Sequence, residues 1–178
     1  LFSAARRECI SHVRTKHSEG SGGPPARPPA PPYVLVVEDD PDVREAIADL
    51  LGAGGYDVRT ASNGNTALLI LDSEYYRGQV GGGTPRLPSV ILLDLLMPTM
   101  SGADFYALLR SKRPMFDAVP VVVMSADPNV RHFEWVVSTA GLAPAHGALP
   151  KPFDTAELLR KVRAAADARA PSSPERDG

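Results

Sequence analysis

Glu38, Asp39 and Asp40 follow directly on the apolar run Tyr33–Val37. Asp94 follows Ser89–Leu93, Ser125 follows Val119–Met124, and Lys151 stands just beyond the short stretch Gly147–Leu149. Carboxylates gathered at one place repel one another and raise one another's pKa. A divalent cation removes that cost, and an all-oxygen donor set without cysteine or histidine suits Mg²⁺ or Mn²⁺. Such an ion would keep Asp94 ionised and neutralise an incoming phosphoryl group. A carboxylate is a competent phosphoryl nucleophile. Ser125 has a hydroxyl to donate to a phosphoryl oxygen, and Lys151 supplies a compact positive charge.

Each of these residues also has an ordinary reading. An acidic pair after a strand commonly caps a helix, and Asp40 before Pro41 has that form. A lone Asp after a strand serves in turns, a lone Ser caps helices, and a Lys before Pro sits in solvated loops. What sets this chain apart is the joint pattern, with polar groups at the ends of four buried runs.

The elements must bring those ends together. Tyr33–Val37 is continuously apolar, as in a strand buried on both faces. Val43, Ile47, Leu50 and Leu51 then recur at helical spacing until Gly54-Gly55. Tyr56–Ala61 alternates as a second strand, and Asn63-Gly64 turns into a short helix around Thr66–Ser73. Arg77–Pro88, with three glycines in a row and two prolines, is expected to be a long loop. Ser89–Leu93 is the third strand. Ser101 and Asp104 resemble a capping box for a helix to about Lys112. Val119–Met124 is the fourth strand, and Asp127-Pro128 opens a helix through Phe133, Val136 and Val137. Gly147–Leu149 is a weak fifth strand. Asp154 and Glu157 form a capping box for a last helix with Leu158, Leu159 and Val162 inward. Alternating strands and helices imply an α/β fold with a parallel sheet covered on both faces. Five strands in this length suggest the flavodoxin-like order 2-1-3-4-5, which binds ligands at the carboxyl ends of its strands.

Composition narrows the function classes. The chain has 178 residues, 43% hydrophobic and 22% charged, as in a soluble globular protein. Nineteen basic and 21 acidic residues give a net charge of −2, without a field for nucleic acid or anionic lipid. Cys9 is the single cysteine, so no disulfide framework forms and a reducing cytoplasm is expected. His12, His17, His132 and His146 lack metal-ligand spacing. No apolar run approaches the ~20 residues of a membrane span. Residues 1–32 end in GSGGPPARPPAPP and are expected to be a disordered tail or linker. Residues 33–167 form the folded domain, and 168–178 a polar, disordered tail.

The segments VLVVEDDPDVR, ILLDLLMPTMSG, VVVMSA and LPKPF, in this order and spacing, resemble the receiver domains of two-component response regulators, similar to chemotaxis regulators. The resemblance covers about Tyr33 to Ala166. It implies phosphorylation of Asp94 by a histidine kinase or a histidine phosphotransfer protein. It also implies Mg²⁺ bound by Asp39 and Asp94 directly, by Glu38 mostly through water, and by the backbone carbonyl of Leu96. Ser125 becomes the switch hydroxyl and Lys151 the phosphate-pairing lysine. A cis peptide is expected before Pro152. The domain would act as a regulatory module rather than a turnover enzyme. It would signal to a downstream protein target through the face built by the fourth helix, fifth strand and last helix, as a monomer or weak dimer.

The sequence departs from the family pattern in places. Ala148 stands where an aromatic residue usually rotates with the switch hydroxyl. Leu96 is apolar where some members carry a polar group beside the attacking water. The loop from Arg77 to Pro88 is longer than usual, and Gly141–Gly147 is irregular. The tail after Ala168 is too short for a winged helix or helix-turn-helix, so direct transcription control is not expected unless output lies upstream. Two other readings compete. One is the C-terminal receiver of a hybrid histidine kinase, with the proline-rich segment as linker. The other is a phosphohydrolase of the haloacid dehalogenase type, against which Leu96 argues, since such enzymes normally place a second Asp there.

Overall fold

The computed structural model describes residues 33–80, 85–126 and 145–169. Five parallel strands form one sheet in the order β2-β1-β3-β4-β5. They are β1 (Tyr33–Val37), β2 (Asp57–Ala61), β3 (Val90–Asp94), β4 (Val121–Ser125) and β5 (Ala148–Pro150). Among the described residues the α-helices are α1 (Pro41–Ala53), α2 (Gly64–Gln79), α3 (Gly102–Lys112) and, nearest the C-terminal end, α4 (Thr155–Arg169). The expected fold class and strand order are both present.

Alternation along the strands explains why the sequence runs are apolar throughout. Leu35, Val37, Ile91, Leu93, Val121 and Val123 pack on one side with Leu71 of α2 and Phe105 and Leu109 of α3. Val34, Val36, Leu92, Val122 and Met124 pack on the other with Ile47 and Leu51 of α1 and Leu158 and Val162 of α4. Both faces exclude water, so neither parity of position is polar. Each fully buried aliphatic side chain stabilises the fold by ~1.5–3 kcal/mol.

Local signals set the helix starts. Asp40 Oδ1 accepts from the amides of Asp42 (2.9 Å) and Val43 (3.1 Å), with Pro41 in the first turn. Asn63 accepts from Thr66 N, Ser101 from Asp104 N, and Asp154 from Glu157 N. At Ser101 the box is closed differently from the expected form. The Asp104 carboxylate accepts from the Ser101 hydroxyl at 2.7 Å.

Other boundaries differ from expectation. Helix α2 begins at Gly64 and runs to Gln79, beyond Ser73 and into the segment expected to be loop. Its extra turns have tertiary partners: Tyr75 packs edge-on against Phe116 at 5.8 Å, and Glu74 pairs with Arg59 of β2. β4 begins at Val121 rather than Val119, because Val119 N closes a turn onto Phe116 O and Pro120 has no N–H to give. Ser125 and Asp94 are the last residues of their strands, not the first residues after them. The helix expected from Asp127 through Val137, Gly141 to residue 144, residues 1–32 and the tail from 170 lie outside the described residues.

Candidate functional site

The parallel register carries four strand ends to one edge of the sheet. Val37 pairs with Leu93, and Asp94 pairs with Met124, so Glu38 and Asp94 leave adjacent strands side by side. Ser125 pairs with Pro150, which puts Lys151 just beyond the end of β4. The Lys151 amide donates to Ser125 O at 2.8 Å, and the Lys151–Pro152 peptide is cis, as the resemblance implied.

Lys151 and the carboxylates converge. Lys151 Nζ donates to Glu38 Oε2 at 2.7 Å and to Asp94 Oδ2 at 3.0 Å. Carboxylate oxygens of Glu38, Asp39 and Asp94 all lie within 4.8 Å of one another. Glu38 and Asp94 are buried, with side chains 2% and 6% exposed, while Asp39 is half-buried and reaches solvent. Ser125 is buried at the neighbouring strand end. Leu96 turns its side chain outward, 65% exposed, while its amide donates to Asp94 Oδ1 at 3.3 Å.

Burial pushes the Glu38 carboxyl above the ordinary glutamate range, and the nearby Asp94 adds to the rise. The Lys151 hydrogen bond opposes both without cancelling them. For Lys151, burial acts downward, but the bonds to Glu38 and Asp94 outweigh it and hold the ammonium above its usual value. The lysine thus does part of a cation's work. The remaining donor set is all oxygen, close together and open on the Asp39 side. That chemistry fits a hard divalent ion such as Mg²⁺ and gives a soft metal no ligand.

The loop after Asp94 is tightly held. The Gly102 amide donates to Leu95 O at 3.1 Å, and a Cβ at Gly102 would run into the Asp94 carbonyl oxygen. Thr99 has φ of 72°, and Met100 N donates to Pro98 O across it at 2.8 Å, which makes a γ-turn. Met100 then lies over the open face of Gly64, at the start of α2.

With this geometry, the comparison with known proteins is specific. Residues 34–163 match the response regulator receiver domain family. The chain belongs to that family. Over 144 residues it is 35% identical to the alkaline phosphatase synthesis transcriptional regulatory protein SphR of Synechococcus elongatus, covering 79% of this chain and 51% of that protein. The response regulator MprA of Mycolicibacterium vanbaalenii is 35% identical over 135 residues, which are 75% of this chain and 50% of MprA. The receiver chain therefore spans about half the length of these curated relatives. Among solved structures, the chemotaxis protein CheY4 of Vibrio cholerae shares the fold with a TM-score of 0.61 at 24% identity, over 75% of this chain and 98% of that one. The response regulator TrrA of Thermotoga maritima, solved with Mg²⁺-BeF, has a TM-score of 0.56 at 26% identity, with the same coverage.

Of the residues picked from the sequence, Glu38, Asp39, Asp94 and Lys151 come together, and Ser125 ends the adjoining strand. Leu96 meets Asp94 through its amide. Ala148 sits opposite Val123 in β5. Arg44 escaped the sequence reading. Its guanidinium reaches back from α1 to the carbonyls of Glu38 and Asp39. A basic residue one helical turn inside an acidic cap was the available signal.

Proposed function

We propose that this receiver domain takes a phosphoryl group onto Asp94 from a phosphohistidine of a histidine kinase or histidine phosphotransfer protein. The observation that supports this reading most is the Lys151 bridge between Asp94 and Glu38 beside Asp39, at the carboxyl ends of the strands. In the transfer an Asp94 carboxylate oxygen bonds phosphorus as the phosphorus–nitrogen bond breaks, and the electron pair leaves with the imidazole. Glu38, Asp39, Asp94 and the Leu96 carbonyl would hold Mg²⁺, which supplies charge neutralisation for the phosphoryl oxygens. Lys151 stays close enough to Asp94 to pair with the phosphoryl group. Ser125, at the end of β4, donates its hydroxyl to a phosphoryl oxygen and moves with the chain that follows it.

The product exchanges one carboxylate charge for a phosphoryl group with more charge and more acceptors. Signalling then runs by protein contact through the surface around β5 and α4, in the cytoplasm. Incubation with acetyl phosphate and Mg²⁺ tests the assignment. One acid-labile phosphoryl group should form on the wild type and none on Asp94→Ala. Full labelling of that variant would sink it.

A further inference from the structure

The turn Glu38–Asp40 presents three successive carbonyls, and one residue takes all of them. Arg44 Nη1 donates to Glu38 O at 2.8 Å and to Asp39 O at 3.0 Å. The Arg44 amide donates to Asp40 O at 2.9 Å. On the other side, the Glu38 amide donates to Ala61 O at 3.0 Å, and Asp40 caps α1 with its carboxylate. Peptide planes fixed at both ends leave the Cα–Cβ directions of Glu38 and Asp39 little freedom.

We propose that Arg44 is a positioning residue for the acidic turn, holding the Glu38 and Asp39 peptide planes so that both carboxylates meet Asp94 around a divalent cation. The inference rests on the metal reading of this site. The guanidinium is half-buried and contacts main-chain oxygen, so it does not neutralise the carboxylates by direct pairing. It also turns the two carbonyls toward itself. They are thereby kept from competing with the carboxylates as ligands. Groups that orient ligands from behind commonly set metal affinity by a factor of 10–100.

The sign of one effect separates positioning from charge. Removing a cationic side chain near a metal site strengthens Mg²⁺ binding if only Coulomb's law acts. Loss of positioning weakens it. Calorimetric titration of the full chain with MgCl₂ should show Arg44→Gln binding about tenfold more weakly than wild type. The labelling rate with acetyl phosphate at saturating Mg²⁺ should stay within about twofold, because the ion restores the geometry once bound. Equal or tighter binding by a folded Arg44→Gln, checked by circular dichroism and urea unfolding, overturns the proposal. If that variant does not fold, Arg44→Lys takes its place, with the charge kept and the reach one bond shorter. Weaker Mg²⁺ binding is then expected, and wild-type affinity overturns the idea. Absence of Mg²⁺ binding in the wild type itself would remove the metal reading and this proposal together. That failure is distinguishable because it appears before any substitution.

Discussion

Lys151 lies beyond β5, yet its ammonium sits 2.7 Å from Glu38, which follows β1 on the far side of β4 and β3. The pair closes the mouth of the sheet and joins its first strand to its last. Its removal should have two opposite effects. Lys151→Met leaves buried carboxylates without their hydrogen-bond donor and should lower metal-free stability by about 1–3 kcal/mol. The same change takes away a cation that competes for Glu38 and Asp94, so Mg²⁺ should bind more tightly. Urea unfolding in EDTA and calorimetry with MgCl₂ read the two effects separately.

Mg²⁺ itself should stabilise the folded domain. A ligand at a hundred times its Kd adds about 2.7 kcal/mol, which raises Tm by several degrees in a domain of this size. Asp39→Asn should lose most of that gain while melting near wild type in EDTA. Thermal melts with and without the ion decide the point, and an undiminished Mg²⁺ gain in Asp39→Asn would remove Asp39 from the ligand set.

The raised Glu38 pKa has a signed consequence. Folding favours its protonated form, so its contribution is present below the unfolded value and is lost as pH rises through the folded one. At neutral pH the burial of this carboxyl therefore costs stability in the metal-free state. Glu38→Gln should raise the urea midpoint in EDTA at pH 7, and the gain should vanish toward pH 4. A gain independent of pH would show that another cause operates.

His146 titrates in the opposite sense. Its partial burial and the nearby Arg110 lower its pKa, and its Nδ1 accepts from Val121 N at 3.3 Å. The contribution is present above the unfolded value and lost as pH falls through the folded one. Protonation turns that acceptor into a donor facing another donor. Stability of His146→Asn should consequently fall less than wild type between pH 7 and 5, as followed by urea midpoints.

Gly102 limits what the loop after Asp94 tolerates. Gly102→Ala would push a methyl group into the Asp94 carbonyl, at a cost of about 1–3 kcal/mol. The displaced Asp94 should also label more slowly with acetyl phosphate at saturating Mg²⁺. Normal labelling of the folded variant would mean that the loop can shift without moving the carboxylate.

Most of the fold was legible because burial on both faces wrote β1, β3 and β4 as apolar runs, and because Asp40, Asn63, Ser101 and Asp154 mark the helix starts. The candidate site was legible for the same reason. Polar residues after such runs have nowhere to go except the sheet edge. The end of α2 was not legible, since Gly-rich sequence begins shortly after Arg77 and the contact holding the last turns, Tyr75 on Phe116, joins distant segments. Arg44 was hidden for a related reason. Its partners are main-chain oxygens, and its one trace in the sequence is a basic residue a helical turn inside an acidic cap, a pattern that does not name a carbonyl as partner.

β5 is three residues long and pairs with β4 alone among the described strands, whereas β1 and β3 are flanked on both sides. Amides at the carboxylate end of the site should thus exchange with deuterium only on near-global opening, and those around Lys151 through cheaper local fluctuations. The Lys151 ammonium thus rides on a short edge of the sheet, expected to open readily. Asp94 itself is anchored at the end of β3, where opening is expected last.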